Sequence, residues 1–194
     1  MPLLIALEGI DGAGTTTQTR LLAAWMGHRG LAVHATREPS DGPVGLLLRQ
    51  ILRGAIGSDA RAVALLFAAD RINHVEREIG PALAAGRHVV TDRYVLSSLA
   101  YQSLDCDEVW IETINRFARP ADITLLLDVP VDAAAERRAR EGRAQERFDA
   151  GDVQRRVADR YRGLARARGA TVLDGTLEPE RVHEDVVAHV APLL

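Results

Sequence analysis

The stretch Leu3–Thr16 reads LLIALEGIDGAGTT, and it decides the fold. Its first five residues form an apolar run typical of a buried strand. The part that follows fits the phosphate-loop pattern G-x-x-x-x-G-K-[ST] everywhere except at the lysine, which is Thr15 here. A strand, a glycine-rich turn and a helix start form the context in which such a loop binds phosphate. We therefore predict an anion site made by Gly9, Ile10, Asp11, Gly12, Ala13, Gly14, Thr15, Thr16 and Thr17, with the Thr16 hydroxyl available to a Mg²⁺ shell.

Lysine is missing from the whole chain, because all 24 basic residues are arginine. In a phosphate loop the lysine supplies a fixed charge beside the β- and γ-phosphates. Loss of one such preorganised group typically lowers the rate by about 10²–10³. A G+C-rich genome favours arginine codons and accounts for the composition, but not for the loop. Either another cation supplies the positive charge beside the β- and γ-phosphates, or the chain binds nucleotide without efficient turnover.

The bulk properties indicate one soluble domain spanning residues 1–194. Of the 194 residues, 47 % are hydrophobic and 26 % are charged, and the net charge is −3. That charge disfavours general nucleic-acid binding, and no apolar run is long enough for a membrane span. The single Cys106 suits a reducing compartment. We expect a cytoplasmic protein that binds neither nucleic acid nor a membrane.

Short apolar runs alternate with helical patterns, which predicts an α/β fold with a five-stranded parallel sheet and helices on both faces. The predicted strands, each expected to be buried on both faces, are Leu3–Leu7, Leu31–Thr36, His88–Thr91, Ile123–Asp128 and Ala170–Leu173. The predicted helices are Thr15–His28, Ala60–Ala84 (one helix or two), Asp107–Phe117, Asp152–Arg168 and Glu178–Val190. Between the last two strands, the charged segment Glu136–Asp149 is expected to form an exposed, mobile excursion.

Five motifs, in order along nearly the whole chain, resemble the thymidylate kinase family. They are EGIDGAG-x-TTQ at Glu8–Gln18, TREP at Thr36–Pro39, LFAADR at Leu66–Arg71, DRY with SS-x-AYQ at Asp92–Gln102, and LLLDVP at Leu125–Pro130. The resemblance implies a three-layer P-loop kinase fold with a short lid at about residues 136–150. It also implies phosphoryl transfer from ATP, with Mg²⁺, to dTMP, and a homodimer.

The resemblance further implies roles for individual residues. The dTMP-binding set is Asp11, Arg37, Phe67, Arg71, Arg93, Ser97, Ser98, Tyr101 and Gln102. Arg37 and Arg93 would grip the acceptor phosphate, and Tyr101 would lie under the sugar, where a 2′-hydroxyl would clash. Phe67 would stack on thymine, although a ring on an apolar helix face is by itself more often core. Asp92 would orient arginine or metal-bound water, which places it with Thr16 at the metal.

Gly12 occupies a loop position at which some members of that family carry an arginine. Members with glycine there draw catalytic arginines from the lid, so the resemblance assigns Arg138, Arg140, Arg143 and Arg147 to catalysis beside Asp11 and Arg93. A plain solvated charge run is the alternative interpretation of these four arginines. Our hypothesis is that lid arginines, with Arg143 and Arg147 first, replace the missing lysine. A nucleotide-binding protein with weak or no kinase activity, and a kinase for another nucleoside monophosphate, remain the alternative functions.

Overall fold

In a computed structural model, which describes residues 1–140, 142, 148 and 150–194, five parallel strands form one sheet in the order β2-β3-β1-β4-β5. The strands are β1 (Leu4–Gly9), β2 (Val33–Arg37), β3 (His88–Asp92), β4 (Ile123–Asp128) and β5 (Thr171–Asp174). All four pairings between neighbouring strands are parallel. The predicted fold class is confirmed.

Helices pack on both faces of this sheet. They are α1 (Thr15–His28), α2 (Pro43–Leu52), α3 (Ala60–His74), α4 (Gly80–Ala84), α5 (Val95–Tyr101), α6 (Glu108–Asn115), α7 (Val131–Arg140), α8 (Gly151–Arg168) and α9 (Pro179–Val190). The central strand β1 is buried along its whole length. Its alternate side chains enter two separate apolar clusters, one containing Ile5 and Leu7 and the other Leu4 and Ala6. The result is a three-layer α/β arrangement.

The edge strands are less buried than their sequences suggest. Of the described strands, the three inner ones have neighbours on both sides, whereas β2 and β5 have one neighbour each. Residues of β2 are half-buried or exposed along its whole length, and Val172 in β5 is 46 % exposed. The prediction that all five strands are buried on both faces is therefore wrong for β2 and β5, because an edge strand of a small sheet is only partly covered.

Helix predictions were confirmed in the long periodic segments, and part of the charged segment is helical as well. The bounds of α1 agree with the prediction, and residues 60–84 are helical throughout, with a π-helical turn at Val75–Ile79 between α3 and α4. Pro81 at the start of α4 has no N–H to donate, which accounts for the shifted hydrogen bonds there. Residues 136–140 of the segment expected to be an exposed excursion form the end of α7, which Ala134 anchors in the core. Glu136 and Arg140 are exposed there, and residues 141, 143–147 and 149 of that segment lie outside the described residues. None of the described helices is long and apolar enough to cross a membrane.

Candidate active site

The phosphate loop joins β1 to α1 and exposes a row of backbone donors. Gly12 and Gly14 have φ of 88° and 96°, a conformation that side chains rarely adopt, and Gly14 caps α1 without any side-chain hydrogen bond. Within the described part of the chain, the backbone N–H groups of Gly12 and of 14–17 have no hydrogen-bond partner. Converging free N–H groups at a helix N-terminus form an anion site.

The end of β3 lies beside this loop and carries the acidic residue of the predicted metal site. The Thr16 hydroxyl donates to Asp92 Oδ2. Asp92 is 8 % exposed, and its Oδ1 is buried with no partner among the described residues. Described residues contain no group of three or more His, Cys, Asp or Glu that would hold a metal by themselves. Mg²⁺ usually takes only one or two protein ligands alongside phosphates and water, so Thr16 with the unused Asp92 oxygen fits that ion.

Arg93 comes directly after Asp92 and occupies a backbone conformation with φ of 71°. Residues other than glycine rarely hold this conformation, and such positions cluster at functional sites. From Nη1 its guanidinium donates to the Gly9 carbonyl oxygen at 2.6 Å, and from Nη2 to Asp11 Oδ1 at 2.8 Å. Burial disfavours the charge, but Tyr101, Asp11 and Tyr161 more than offset it and hold the pKa of Arg93 well above its ordinary range. The group is a permanent cation beside the loop.

A buried carboxylate under the loop fixes the segment that carries Arg93. Glu8 is fully buried; its Oε1 accepts the Tyr94 N–H at 2.9 Å and its Oε2 accepts the Ser97 hydroxyl at 2.5 Å. The Tyr161 hydroxyl also donates to Oε2, at 3.2 Å. Burial raises the pKa of Glu8, and the Ser97 hydrogen bond and the Arg93 charge oppose that rise. Glu8 therefore ties β1 to the first turn of α5 and to α8.

Among the described residues, three from outside the loop donate hydrogen bonds to the Asp11 carboxylate. Its Oδ2 accepts the Tyr101 hydroxyl and the Gln154 amide, each at 3.1 Å, while Arg93 binds Oδ1. The same Gln154 nitrogen donates to the Phe148 carbonyl at 2.8 Å, and the Phe148 ring meets Tyr101 edge-on at 5.3 Å. Asp11 is thus held in one orientation toward the space above the loop.

The far end of the site is organised around Arg71, which is 1 % exposed. Its Nε and Nη2 contact Glu38 Oε2 at 2.8 and 2.6 Å, and Nη2 also donates to the Tyr94 carbonyl at 3.0 Å. Nη1 donates to the Ser98 hydroxyl at 3.0 Å and to the Asn115 amide oxygen. Four hydrogen bonds and the ion pair with Glu38 therefore hold the guanidinium within the protein.

One cavity of about 300 Å³ connects the phosphate loop with this far end. All nine residues of the predicted dTMP set line it, and so do Gly12, Gly14, Thr15, Thr16, Thr17 and Asp92 from the predicted loop and metal sites. A cavity of this size holds a small ligand. Its walls combine an open row of backbone donors at one end with aromatic and polar side chains at the other.

Comparisons with known proteins agree with this geometry. The family model for thymidylate kinase matches residues 7–186. The chain belongs to the thymidylate kinase family. A probable thymidylate kinase of Thermococcus kodakarensis is 41 % identical over 99 % of this chain and 98 % of its own length. One of Pyrococcus abyssi is 42 % identical over 96 % and 94 %, and a thymidylate kinase of Synechococcus sp. is 40 % identical over 94 % and 92 %.

Several predicted residues of this thymidylate kinase family member lie away from the cavity. Ile10 and Ala13 are each 3 % exposed and belong to the apolar core under the loop. Arg138 contacts the loop from outside, through the Asp11 carbonyl oxygen. Arg140 has a side chain that is 78 % exposed and pairs with Glu136. The other two predicted lid arginines, Arg143 and Arg147, lie outside the described residues.

Sequence reasoning missed a second set of residues at this site. The cavity is also lined by Glu38, Pro39, Arg49, Leu52, Arg53 and Phe148. The motif TREP contained Glu38 and Pro39, so they were available in the sequence. Arg49 and Arg53 lie four residues apart at the end of α2, a spacing that places both on one helix face. Glu8 and Gln154 contact residues far away in the chain, and no local sequence pattern predicts these contacts.

Proposed function

We propose that this chain transfers the γ-phosphoryl group of ATP to dTMP, giving dTDP. The observation that carries the proposal is the single cavity in which a phosphate loop with free N–H groups faces all nine predicted dTMP residues. Enzymes of this kind form no covalent intermediate, because positioning and charge neutralisation supply most of the catalysis. A site of that kind needs an anion cradle, an acceptor clamp and a base pocket, and each has a counterpart here.

The phosphate loop supplies the donor end. Its free N–H groups, those of Gly12 and of residues 14–17, bind the β-phosphate region of ATP, with the positive end of α1 behind them. Thr16 and the buried, unpartnered Oδ1 of Asp92 fit Mg²⁺ or its bound water. A bound Mg²⁺ neutralises charge on the transferred phosphoryl group.

Arg93 supplies the acceptor clamp. Its guanidinium is held at the edge of the loop by the Gly9 carbonyl, within reach of an anion in the cavity. Arg37 lines the same cavity, and its side chain is 55 % exposed, with an ion pair to Asp41 at 2.9 Å. A planar guanidinium suits bidentate contact with phosphate. Asp11 lies beside Arg93 and is aimed at the sugar 3′-hydroxyl of dTMP.

Gln102 supplies the strongest support for a pyrimidine with an N3–H. It is 6 % exposed, lines the cavity, and has a buried Oε1 without a partner among the described residues. Thymine and uracil carry an N–H at position 3 that this oxygen accepts, whereas neutral cytosine has none. Phe67 lines the same end and offers a flat face to the ring. A carbonyl oxygen of the base accepts a hydrogen bond from an Arg71 N–H group that also donates to a protein acceptor.

We retain the hypothesis that lid arginines replace the loop lysine. The chain would then act as a single domain whose lid, residues 136–150, closes over the phosphates and excludes water. Arg143 and Arg147 remain the first candidates for direct phosphate contact. Arg138 and Arg140 belong to the described helix α7, and the next subsection concerns the first of them.

Exposed apolar side chains on three helices support a homodimer. Leu46 in α2, Leu65 and Ile72 in α3, Val109 in α6 and Phe117 just after α6 are between 39 % and 70 % exposed. Helix α3 packs against both α2 and α6, and large exposed apolar patches mark interaction surfaces. A cytoplasmic homodimer is accordingly part of the proposal, and sedimentation of the chain against a Phe117→Glu variant tests it: the variant should sediment as a monomer.

A coupled assay with purified protein, ATP·Mg²⁺ and a panel of acceptors tests the main proposal. We expect turnover of about 1 s⁻¹ or more with dTMP, weaker turnover with dUMP, and little with dCMP or UMP. Binding of ATP and dTMP without turnover, relieved by Thr15→Lys, would favour the nucleotide-binding protein with weak kinase activity. Preference for another acceptor in the panel would favour a kinase for that monophosphate.

A further inference from the structure

Helix α7 lies directly against the outer side of the phosphate loop. Arg138, half-buried on this helix, donates from Nη1 to the Asp11 carbonyl oxygen. A Cβ atom on Gly12 would overlap the Ala134 carbonyl oxygen and would lie 3.1 Å from Arg138 Cγ. Two consecutive residues of the loop are therefore in contact with one helix, which is anchored by the fully buried Ala134.

This contact sets the direction of one peptide plane. In a trans peptide, the carbonyl of one residue and the N–H of the next point in opposite directions. Because the Asp11 carbonyl is turned outward to Arg138, the Gly12 N–H is turned the opposite way. Gly12 lines the cavity, and its N–H has no partner among the described residues. A cation on the carbonyl also polarises the peptide and strengthens its N–H as a donor.

We propose that Arg138 is a positioning residue for the phosphate loop. It fixes the Asp11–Gly12 peptide so that the Gly12 N–H is aimed at the β-phosphate of ATP. Arg138 acts from helix α7, outside the loop, and the loop itself carries Thr15 in place of the usual lysine. This inference rests on the proposed function, since it takes the loop as the ATP site. It differs from the lid hypothesis, in which an arginine touches the transferred phosphoryl group itself.

Three variants of α7 test the proposal in the full-length protein. Arg138→Met keeps the stem and removes the donor, and Arg138→Lys restores a charged donor. Arg137→Ala is the control, because Arg137 faces the Thr176 carbonyl, at 3.3 Å, instead of the loop. If Met is not tolerated at position 138, Gln replaces it, since its shorter stem also withdraws the donor from Asp11. Calorimetry then measures the affinity for ATP, ADP and dTMP separately.

We expect Arg138→Met to weaken ATP and ADP about tenfold or more, as for a lost charge-assisted hydrogen bond. Affinity for dTMP should stay within about twofold, Arg138→Lys should recover most of the ADP affinity, and Arg137→Ala should bind like the parent. Unchanged ADP affinity with a lowered kcat would overturn the proposal and place Arg138 on the γ-phosphate. Equal loss of all three ligands would overturn it too. Failure of the parent chain to bind ATP would instead refute the proposed function.

Discussion

The two ends of the cavity are built from different groups. At the acceptor end, which is the part of the cavity lined by the proposed dTMP-binding residues, charged side chains are paired before any ligand arrives: Arg71 with Glu38, and Arg93 with Asp11. At the donor end, the phosphate loop presents backbone N–H groups that have no partner in the described part of the chain. The acceptor end therefore has its geometry fixed by protein contacts, whereas the donor end completes its hydrogen bonds only with an anion.

This difference predicts which ligand each substitution affects. Side chains already held by neighbours lose little freedom on binding, so they bind an acceptor in one orientation. The loop depends on the direction of its peptide planes, which are set by two glycines and by the contact with α7. Changes at the acceptor end should alter dTMP use, and changes at the loop should alter ATP and ADP binding.

Replacement of Arg93 by alanine should have the largest effect. It removes the cation that lies between the Gly9 carbonyl and Asp11, and with it the ion pair between Arg93 and Asp11. We expect kcat/KM for dTMP to fall by about 10²–10³ or more. A coupled assay measures it, with Arg166→Ala, an exposed arginine of α8, as the control. An activity within tenfold of the parent would show that the acceptor end is not organised around Arg93.

Replacement of Gly12 by alanine tests the donor end and should have the second-largest effect. The φ of 88° and the overlap with the Ala134 carbonyl oxygen both oppose a side chain there. We expect a loss of about 1–3 kcal/mol in unfolding free energy and an ATP affinity lowered about tenfold or more, with dTMP affinity less affected.

Gly27→Ala is the matched control for that variant. Gly27 lies in α1, and a Cβ there would meet no atom within 4 Å. Alanine should stabilise this helix position by roughly 0.5–1 kcal/mol. If Gly12→Ala and Gly27→Ala had the same melting temperature, the contact between α7 and the loop would not constrain Gly12.

The fold was more predictable than the site, and the reason lies in the range of the interactions. Long helices such as α1 show a periodic pattern of apolar residues in the local sequence, and this pattern predicts them. Helix α5 has only seven residues directly after a strand, too short for a period to show. Helix α2 was missed although Pro43 at its start and the apolar LLL run at 46–48 were present.

Within the site, resemblance located the cavity residues but not what holds them. The nine residues of the dTMP set share one cavity, as family order along the chain suggested. The contacts that orient them join distant positions: Tyr161 to Glu8 spans 153 residues, and Arg138 to Asp11 spans 127. Such pairings depend on the packed fold, so composition and spacing carry no sign of them. For the same reason the charge pattern at 136–140 does not predict that these residues continue the helix α7.

Gln102→Leu should have a smaller effect, confined to the acceptor end. Leucine keeps the volume and removes the unpartnered Oε1. The loss of one neutral hydrogen bond weakens binding by about threefold to tenfold, so we expect KM for dTMP to rise by that factor with kcat little changed. Discrimination between dTMP and dCMP should shrink. An unchanged KM would mean that the base does not meet Gln102, and ATP affinity is the internal control.

The smallest predicted effect concerns His74, which lies behind the acceptor end. Its Nδ1 is 3.2 Å from Glu38 Oε1, on the carboxylate that holds Arg71, and its Nε2 is 3.6 Å from Glu78 Oε2. Burial disfavours the charged ring, but the hydrogen bond and charge of Glu38, with the charge of Glu78, raise the pKa of His74 above its ordinary 6.5. A raised pKa stabilises the folded state while the pH is below 6.5, and this stabilisation is lost as the pH rises through the folded-state value.

Urea unfolding above pH 6.5 measures this contribution as the difference between the parent and a His74 variant, because the raised pKa values of Glu8 and Cys106 add a pH dependence that both proteins share. Burial lowers the pKa values of His88 and His183, so these two residues change the unfolding free energy at pH values below 6.5 and not above it. We expect the unfolding free energy of the parent to decline from pH 6.5 upward, and His74→Gln to flatten that decline. Glu78→Gln should flatten it less, because Glu38 remains. An equal slope in all three proteins would mean that His74 is neutral in the folded state, and that Glu38 is held in place for Arg71 by its other partners alone.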